Sequence, residues 1–247
     1  MRIAVIIGLA FAVLLISPAH SQIMSDRLSK PTFMEPDGPV IPVAQDIAYP
    51  GMMQLTIDAR DNKQGIFKIT QTIPVAQSGN MTLLYPQWLP GNHAPRGEIE
   101  KITGLEIYAG EAETGQKLKW TRDNIDVFAF HIRVPDGISK ITAKFQFVSA
   151  TSGGQGRIVM APSMLNLRWH QLSLYPAGYY VRRIAVQATA IYPDGWQAAT
   201  SLRPEKKEGS RITYKPVDYD TLVDSPVFAG RYFQSHKLTS RVHLNIV

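Results

Sequence analysis

The sequence predicts an all-β protein: a large antiparallel β-sandwich or open curved sheet built of many short strands, with little helix. Three observations carry that expectation. Apolar residues recur at every second position in one segment after another, and glycine and proline punctuate the chain at short intervals. No segment sustains a helical period.

Taken in order, the chain opens with Arg2 and an apolar run from Ile3 to Ile16, followed by Ser17-Pro18 and the small residues before Gln22. This is the layout of a secretory signal, with cleavage expected after Ser21. As a helix the run would reach roughly 21 Å, short of the ~30 Å hydrocarbon core, so residues 1–21 are read as a leader and no stable membrane anchor is expected. Residues 22–44 are rich in Pro, Met and polar residues without a period and read as an extended lead-in. Residues 45–247 are expected to form a single β-rich domain.

Within it, Leu55, Ile57 and Ala59 alternate with polar neighbours, and Phe67, Ile69 and Ile73 do the same with Gln71 as an interruption. Met81–Tyr85 reads as a short strand. Ile99–Tyr108 and Leu118–Thr121 are expected to pair as a hairpin. Phe128–Val134 and Ile141–Phe147 flank Pro135-Asp136-Gly137, in which proline presets one turn residue and glycine takes the positive-φ place, so a second hairpin is expected there. Gly153-Gly154-Gln155-Gly156 lacks the strand-then-helix setting and the Lys-Ser/Thr of a phosphate loop. Leu165–Tyr175 reads ambiguously: Leu165, Leu167 and Trp169 fit a strand, which His170–Leu174 could carry on before Pro176. A second Pro-Asp-Gly, at 193–195, ends the strand carrying Ile184, Val186, Ala188 and Ala190. Val242, Leu244 and Ile246 alternate up to Val247.

The 247 residues contain no cysteine, which excludes disulfides, thiolate metal sites and a cysteine nucleophile. A net charge of +6 is spread thinly, its densest pairs being Arg182-Arg183 and Lys206-Lys207. It reads as a solvated surface, and no nucleic-acid partner is expected. Gly-x-Ser-x-Gly, His-Glu-x-x-His and the Walker sequence are all absent, and the six histidines stand singly. Neither a catalytic set nor a metal site is therefore assigned within this chain.

Two stretches stand apart. Tyr85–Arg96 holds three prolines and a glycine, which fix the backbone around Trp88, Gly91, Asn92, His93 and Arg96. It reads either as a rigid turn anchored by a buried tryptophan or as a preorganised pocket rim. Tyr214–Arg231 interleaves Asp218, Asp220 and Asp224 with Tyr219, Leu222 and Val223 between Pro216 and Pro226, and reads as a shaped loop between two strands.

Together, Trp-x-Pro-Gly followed by an arginine and Asp-Tyr-Asp-x-Leu-Val-Asp-Ser-Pro-Val resemble the N-terminal domain of the glycyl aminopeptidases, metallopeptidase family sixty-one. The Leu-Tyr-Pro-Ala-Gly and Pro-Asp-Gly-Trp segments fit the same pattern. Where many members carry a tyrosine soon after Pro-Gly, this chain has Asn92-His93.

The resemblance implies a β-domain leaning on a thermolysin-like catalytic domain, usually with a PDZ domain following. Zinc is held there by the two His of His-Glu-x-x-His and a downstream Glu, so the expected cofactor belongs to that domain and this chain is expected to be inactive alone. It also implies a separated or truncated N-terminal domain of an exported, periplasmic or secreted enzyme, whose partner is the catalytic domain of the same polypeptide. Trp88, Gly91, Asn92, His93, Arg96, Asp218, Tyr219, Asp220 and Asp224 would then line the substrate cleft, with an acid meeting the peptide's N-terminal amine, or order the domain interface. The alternative is a stand-alone periplasmic β-sandwich that binds a peptide, glycan or protein through the same loops.

Overall fold

In the computed structural model, which describes residues 33–89 and 94–247, the alternating segments become strands. The expected leader lies outside these residues. Residues 36–44 carry no regular element, and Pro36–Val247 cluster as one unit. The strands are β1 (Met52–Asp61), β2 (Ile66–Pro74), β3 (Gly79–Leu84), β4 (Ile102–Ala109), β5 (Gln116–Leu118), β6 (Trp120–Arg122), β7 (Ala129–Val134), β8 (Lys140–Val148) and β9 (Met164–Leu167). They continue as β10 (Tyr175–Pro176), β11 (Ala185–Ile191), β12 (Gln197–Ala199), β13 (Pro204–Glu208), β14 (Arg211–Tyr214), β15 (Val217–Asp218), β16 (Val227–Gly230), β17 (Gln234–Lys237) and β18 (His243–Ile246). Among the described residues one short α-helix, α1 (Tyr219–Val223), and four 3-10 turns interrupt them.

The all-β expectation holds. A nine-stranded sheet runs β13-β14-β11-β1-β2-β8-β4-β5, with β15 also on β11, and a four-stranded sheet runs β10-β3-β7-β6. Smaller sheets are β12-β16-β9 and β17-β18. β1 lies parallel to β11, whereas the other ladders among the described residues are antiparallel. The first hairpin forms with a displaced return strand: β4 pairs with β5 at Gln116–Leu118, whereas Trp120–Arg122, expected in the same strand, pairs with β7 in the smaller sheet.

The second does not form. β7 pairs with β3 and β6, while β8 pairs with β2 and β4, so Pro135-Asp136-Gly137 carries the chain from one sheet to the other. Alternation is the same for a hairpin and for such an arch, because each strand still buries one face. Here the buried faces, Phe130, Ile132 and Val134 on one strand and Ile141, Ala143, Phe145 and Phe147 on the other, join a single core cluster. The connection from β2 to β3 makes the same crossing beside it. Pro74 faces Lys140 where both strands leave the large sheet, and Gly79 faces Val134 where they enter the small one.

A second correction concerns the segment after β9. Trp169–Gln171 forms a 3-10 turn instead of extending the strand. It is held by a residue that the alternation marks as out of place. Gln71 is fully buried, its Nε2 donates to the Leu174 carbonyl (2.6 Å), and its Oε1 accepts from the Leu174 amide (2.9 Å). A side-chain amide thus satisfies both backbone groups of a non-strand residue inside the core, where an orphaned group would cost about 1–3 kcal/mol. Replacing Gln71 by Leu should lower stability by roughly 2–4 kcal/mol in urea denaturation. A loss below about 0.5 kcal/mol would show that the clamp contributes nothing net.

Candidate functional site

Tyr85 begins the first site segment. Its amide donates to the Phe128 carbonyl (2.8 Å) and its ring stacks on Phe128 at 6.4 Å, so the chain leaves β3 from a fixed base. The Arg96 amide donates to the Gln87 carbonyl (2.9 Å), which closes the loop. Gly97 follows because nothing larger fits: a Cβ there would lie 2.5 Å from the Pro86 carbonyl oxygen. Trp88 is 61% exposed, which excludes the buried-anchor reading; the tryptophan fully buried in the core is Trp169. Arg96 is exposed, and Gly91, Asn92 and His93 lie outside the described residues.

The second segment is a helix where a loop was expected. Asp218, extended at the end of β15, caps α1: its Oδ1 accepts from the Thr221 amide (2.9 Å) and its Oδ2 from the Thr221 hydroxyl (2.7 Å). Such capping offsets the helix's unpaired first amides, which lets so short a helix form. Asp224 closes it, its amide donating to the Asp220 carbonyl, before Pro226 turns the chain into β16. Tyr219 is buried, and its hydroxyl lies 2.8 Å from Ser173 Oγ, which itself donates to the Trp169 carbonyl. Burial holds the Tyr219 phenol neutral, its pKa raised far above the ordinary value.

These two segments meet. Pro86, Trp88, Leu89, Tyr175, Val181, Tyr219, Asp220 and Val223 line one cavity of about 60 Å³. Tyr175 packs on Tyr219 at 5.3 Å. Of the expected residues, Trp88, Tyr219 and Asp220 are brought together, whereas Arg96, Asp218 and Asp224 are not in the lining. The lining residues not anticipated are Pro86, Leu89, Tyr175, Val181 and Val223. Tyr175, within Leu-Tyr-Pro-Ala-Gly, was legible only as part of the family pattern. The walls are aromatic and apolar with a single carboxylate, Asp220, at an exposed position. Such a lining is complementary to a small group with an apolar body and a positive end, and it offers no acid–base pair.

The described residues do not fit a zinc site, since no three His, Cys, Asp or Glu side chains among them gather as ligands. His131 is buried between the Thr82 hydroxyl (3.0 Å to Nδ1) and the Asp123 carboxylate (2.8 Å to Nε2), a satisfied core histidine under Gly38. Burial, together with Arg168 and Arg157, holds His170 down to about 4. The Arg182-Arg183 pair is engaged by Asp46.

The sequence profile of the Peptidase M61 N-terminal domain matches residues 54–231, a span that includes both walls of the cavity. The chain belongs to this family. An aminopeptidase N family protein from Idiomarina loihiensis superposes with a TM-score of 0.64 at 17% identity, over 78% of this chain and 32% of that one. Yeast LTA4 hydrolase in complex with bestatin gives a TM-score of 0.43 at 10% identity, over 91% of this chain and 34% of that one. This M61 N-terminal domain therefore spans about a third of the length of either protein. No curated protein matches it.

Two outcomes follow for this M61 domain. Asp218→Ala should cost about 1 kcal/mol through loss of the cap, and Asp218→Asn much less, as read by thermal unfolding. Because the folded His170 takes its proton only near pH 4, against 6.5 ordinarily, the unfolded chain binds the extra proton between those values. Stability should therefore fall by about 1–3 kcal/mol as pH drops through that window, and His170→Gln should flatten the slope in urea titrations at pH 7 and pH 4.5.

Proposed function

We propose that this domain is the accessory wall of an exported zinc aminopeptidase, and that its Trp88–Tyr219–Asp220 cavity faces the substrate cleft of a catalytic domain in the same polypeptide. One observation carries the reading: two stretches far apart in sequence, both within the family match, converge on one cavity. The cavity's aromatic walls and single carboxylate suit the free α-amine end of a peptide, because an opposite charge in a partly desolvated site attracts it more strongly than in water. Zinc and the residues that hold it belong to the catalytic domain, consistent with the absence of His-Glu-x-x-His from this sequence. Cleavage after Ser21 delivers the enzyme outside the cytoplasm. The domain's own share of the work is positioning, which lowers the entropy lost when substrate and catalytic groups are brought together.

The test uses the product of the whole reading frame. Trp88→Ala and Asp220→Asn should each lower kcat/KM for unblocked peptides by roughly tenfold, about 1.4 kcal/mol of transition-state stabilisation, while thermal unfolding stays within a degree or two. Turnover equal to wild type in both variants would remove the cavity from the cleft and leave it a domain contact.

A further inference from the structure

The hairpin of β17 and β18 carries its apolar residues on the side turned away from this domain. In its register Gln234 faces Ile246 and His236 faces Leu244, and beyond them the Leu238 amide donates to the Val242 carbonyl (2.9 Å). Directly opposed side chains share a face and successive ones alternate, so Leu238, Val242, Leu244 and Ile246 stand together on one face. Lys237, His243 and Asn245 stand on the other, and that is the face turned to the body of the domain. Asn245 and Val247, with Met164 and Phe228, line a cleft of about 560 Å³ beside the β12-β16-β9 sheet. Val247 comes so close to β16 that a Cβ on Gly230 would lie 2.4 Å from its Cγ1. The four aliphatic residues opposite are left 46% to 60% exposed.

A hairpin that folds as part of a domain buries its apolar face on that domain. This one does the reverse, and two strands alone are marginal in water. Among the described residues β17 and β18 pair with no third strand, and every residue of both is exposed. The Peptidase M61 N-terminal match ends at residue 231, just before β17 begins at Gln234. The Idiomarina loihiensis protein, whose fold this chain shares, has only 32% of its length covered by it. We propose that residues 234–246 are the first strand pair of the domain that follows in the polypeptide, and that Leu238, Val242, Leu244 and Ile246 enter that domain's apolar core. The proposal rests on the reading above in taking a further domain to follow, and it deepens that reading by giving the domain a place. The hairpin touches β16 through Val247, and β16 follows α1 across Asp224, Ser225 and Pro226. The docked domain therefore begins on the strand next to the helix that carries Asp220.

The experiment compares amide hydrogen exchange in the 247-residue chain and in the product of the whole reading frame. In the longer product the amides of residues 235–246 should exchange at least about a hundredfold more slowly, because they then open only with a domain core, while those of β1 and β8 exchange alike in both. Leu244→Asp should undo that slowing in the longer product, yet leave the melting temperature of the 247-residue chain within about a degree, since the side chain is exposed there. Equal exchange of residues 235–246 in the two wild-type products, or a reading frame that adds no chain after Val247, would overturn the proposal. So would a dimer, seen by sedimentation in both products and dissolved by Leu244→Asp, because a second copy would then cover the face. The cleft reading fails separately: wild-type turnover in the Trp88 and Asp220 variants would sink it and leave the difference in exchange intact.

Discussion

The site depends on one buried contact, the pairing of the Gln71 side-chain amide with both backbone groups of Leu174. Gln71 stands in β2, near the middle of the nine-stranded sheet, so the contact ties the irregular segment 169–176 to the centre of that sheet. The bonds that shape the site branch from that segment. The Trp169 indole donates to the Ser225 carbonyl beyond α1, Ser173 meets the Tyr219 hydroxyl, and Gln171 reaches both Glu98 and the Tyr85 hydroxyl. Tyr175 and Pro176 then pair with β3, the strand that leads into the Trp88 segment. Both walls of the cavity are therefore referenced to one stretch of chain, which Gln71 ties to the large sheet.

What the sequence makes legible is the part governed by period-two alternation. β1, β2, β4, β8 and β11 fall where apolar residues alternate, since each buries one face and a shift of one residue would turn that face to water. The path between sheets is not legible in the same way. β7 and β8 satisfy the hairpin pattern, yet each finds its partners elsewhere, because β2 and β3 make the same crossing alongside and supply a longer ladder to each. The choice is made by strands distant in sequence, and no local residue type announces it.

The site was half legible for related reasons. Prolines and interleaved acids marked both stretches as shaped, but their conformations depend on partners that periodicity does not see. Five residues are too few to show a helical period, so α1 is visible only through the bond from Asp218 to Thr221. Gln71 looks like a break in a strand until Leu174, a hundred residues on, is found beside it. Tyr175 and Val181 enter the cavity through a chain path that the sequence alone left ambiguous.

The three acids show how local backbone needs sort functional candidates. Asp218 spends both oxygens on Thr221, and Asp224 closes the helix outside the lining, so only Asp220 keeps a carboxylate at the cavity. The cap that occupies Asp218 is also what aims Asp220, because it fixes the first turn on which Asp220 stands. On the opposite wall, Gly97 against Pro86 and the Arg96–Gln87 bond do the same for Trp88. The backbone bonds on both walls lower the conformational freedom that a ligand would have to remove.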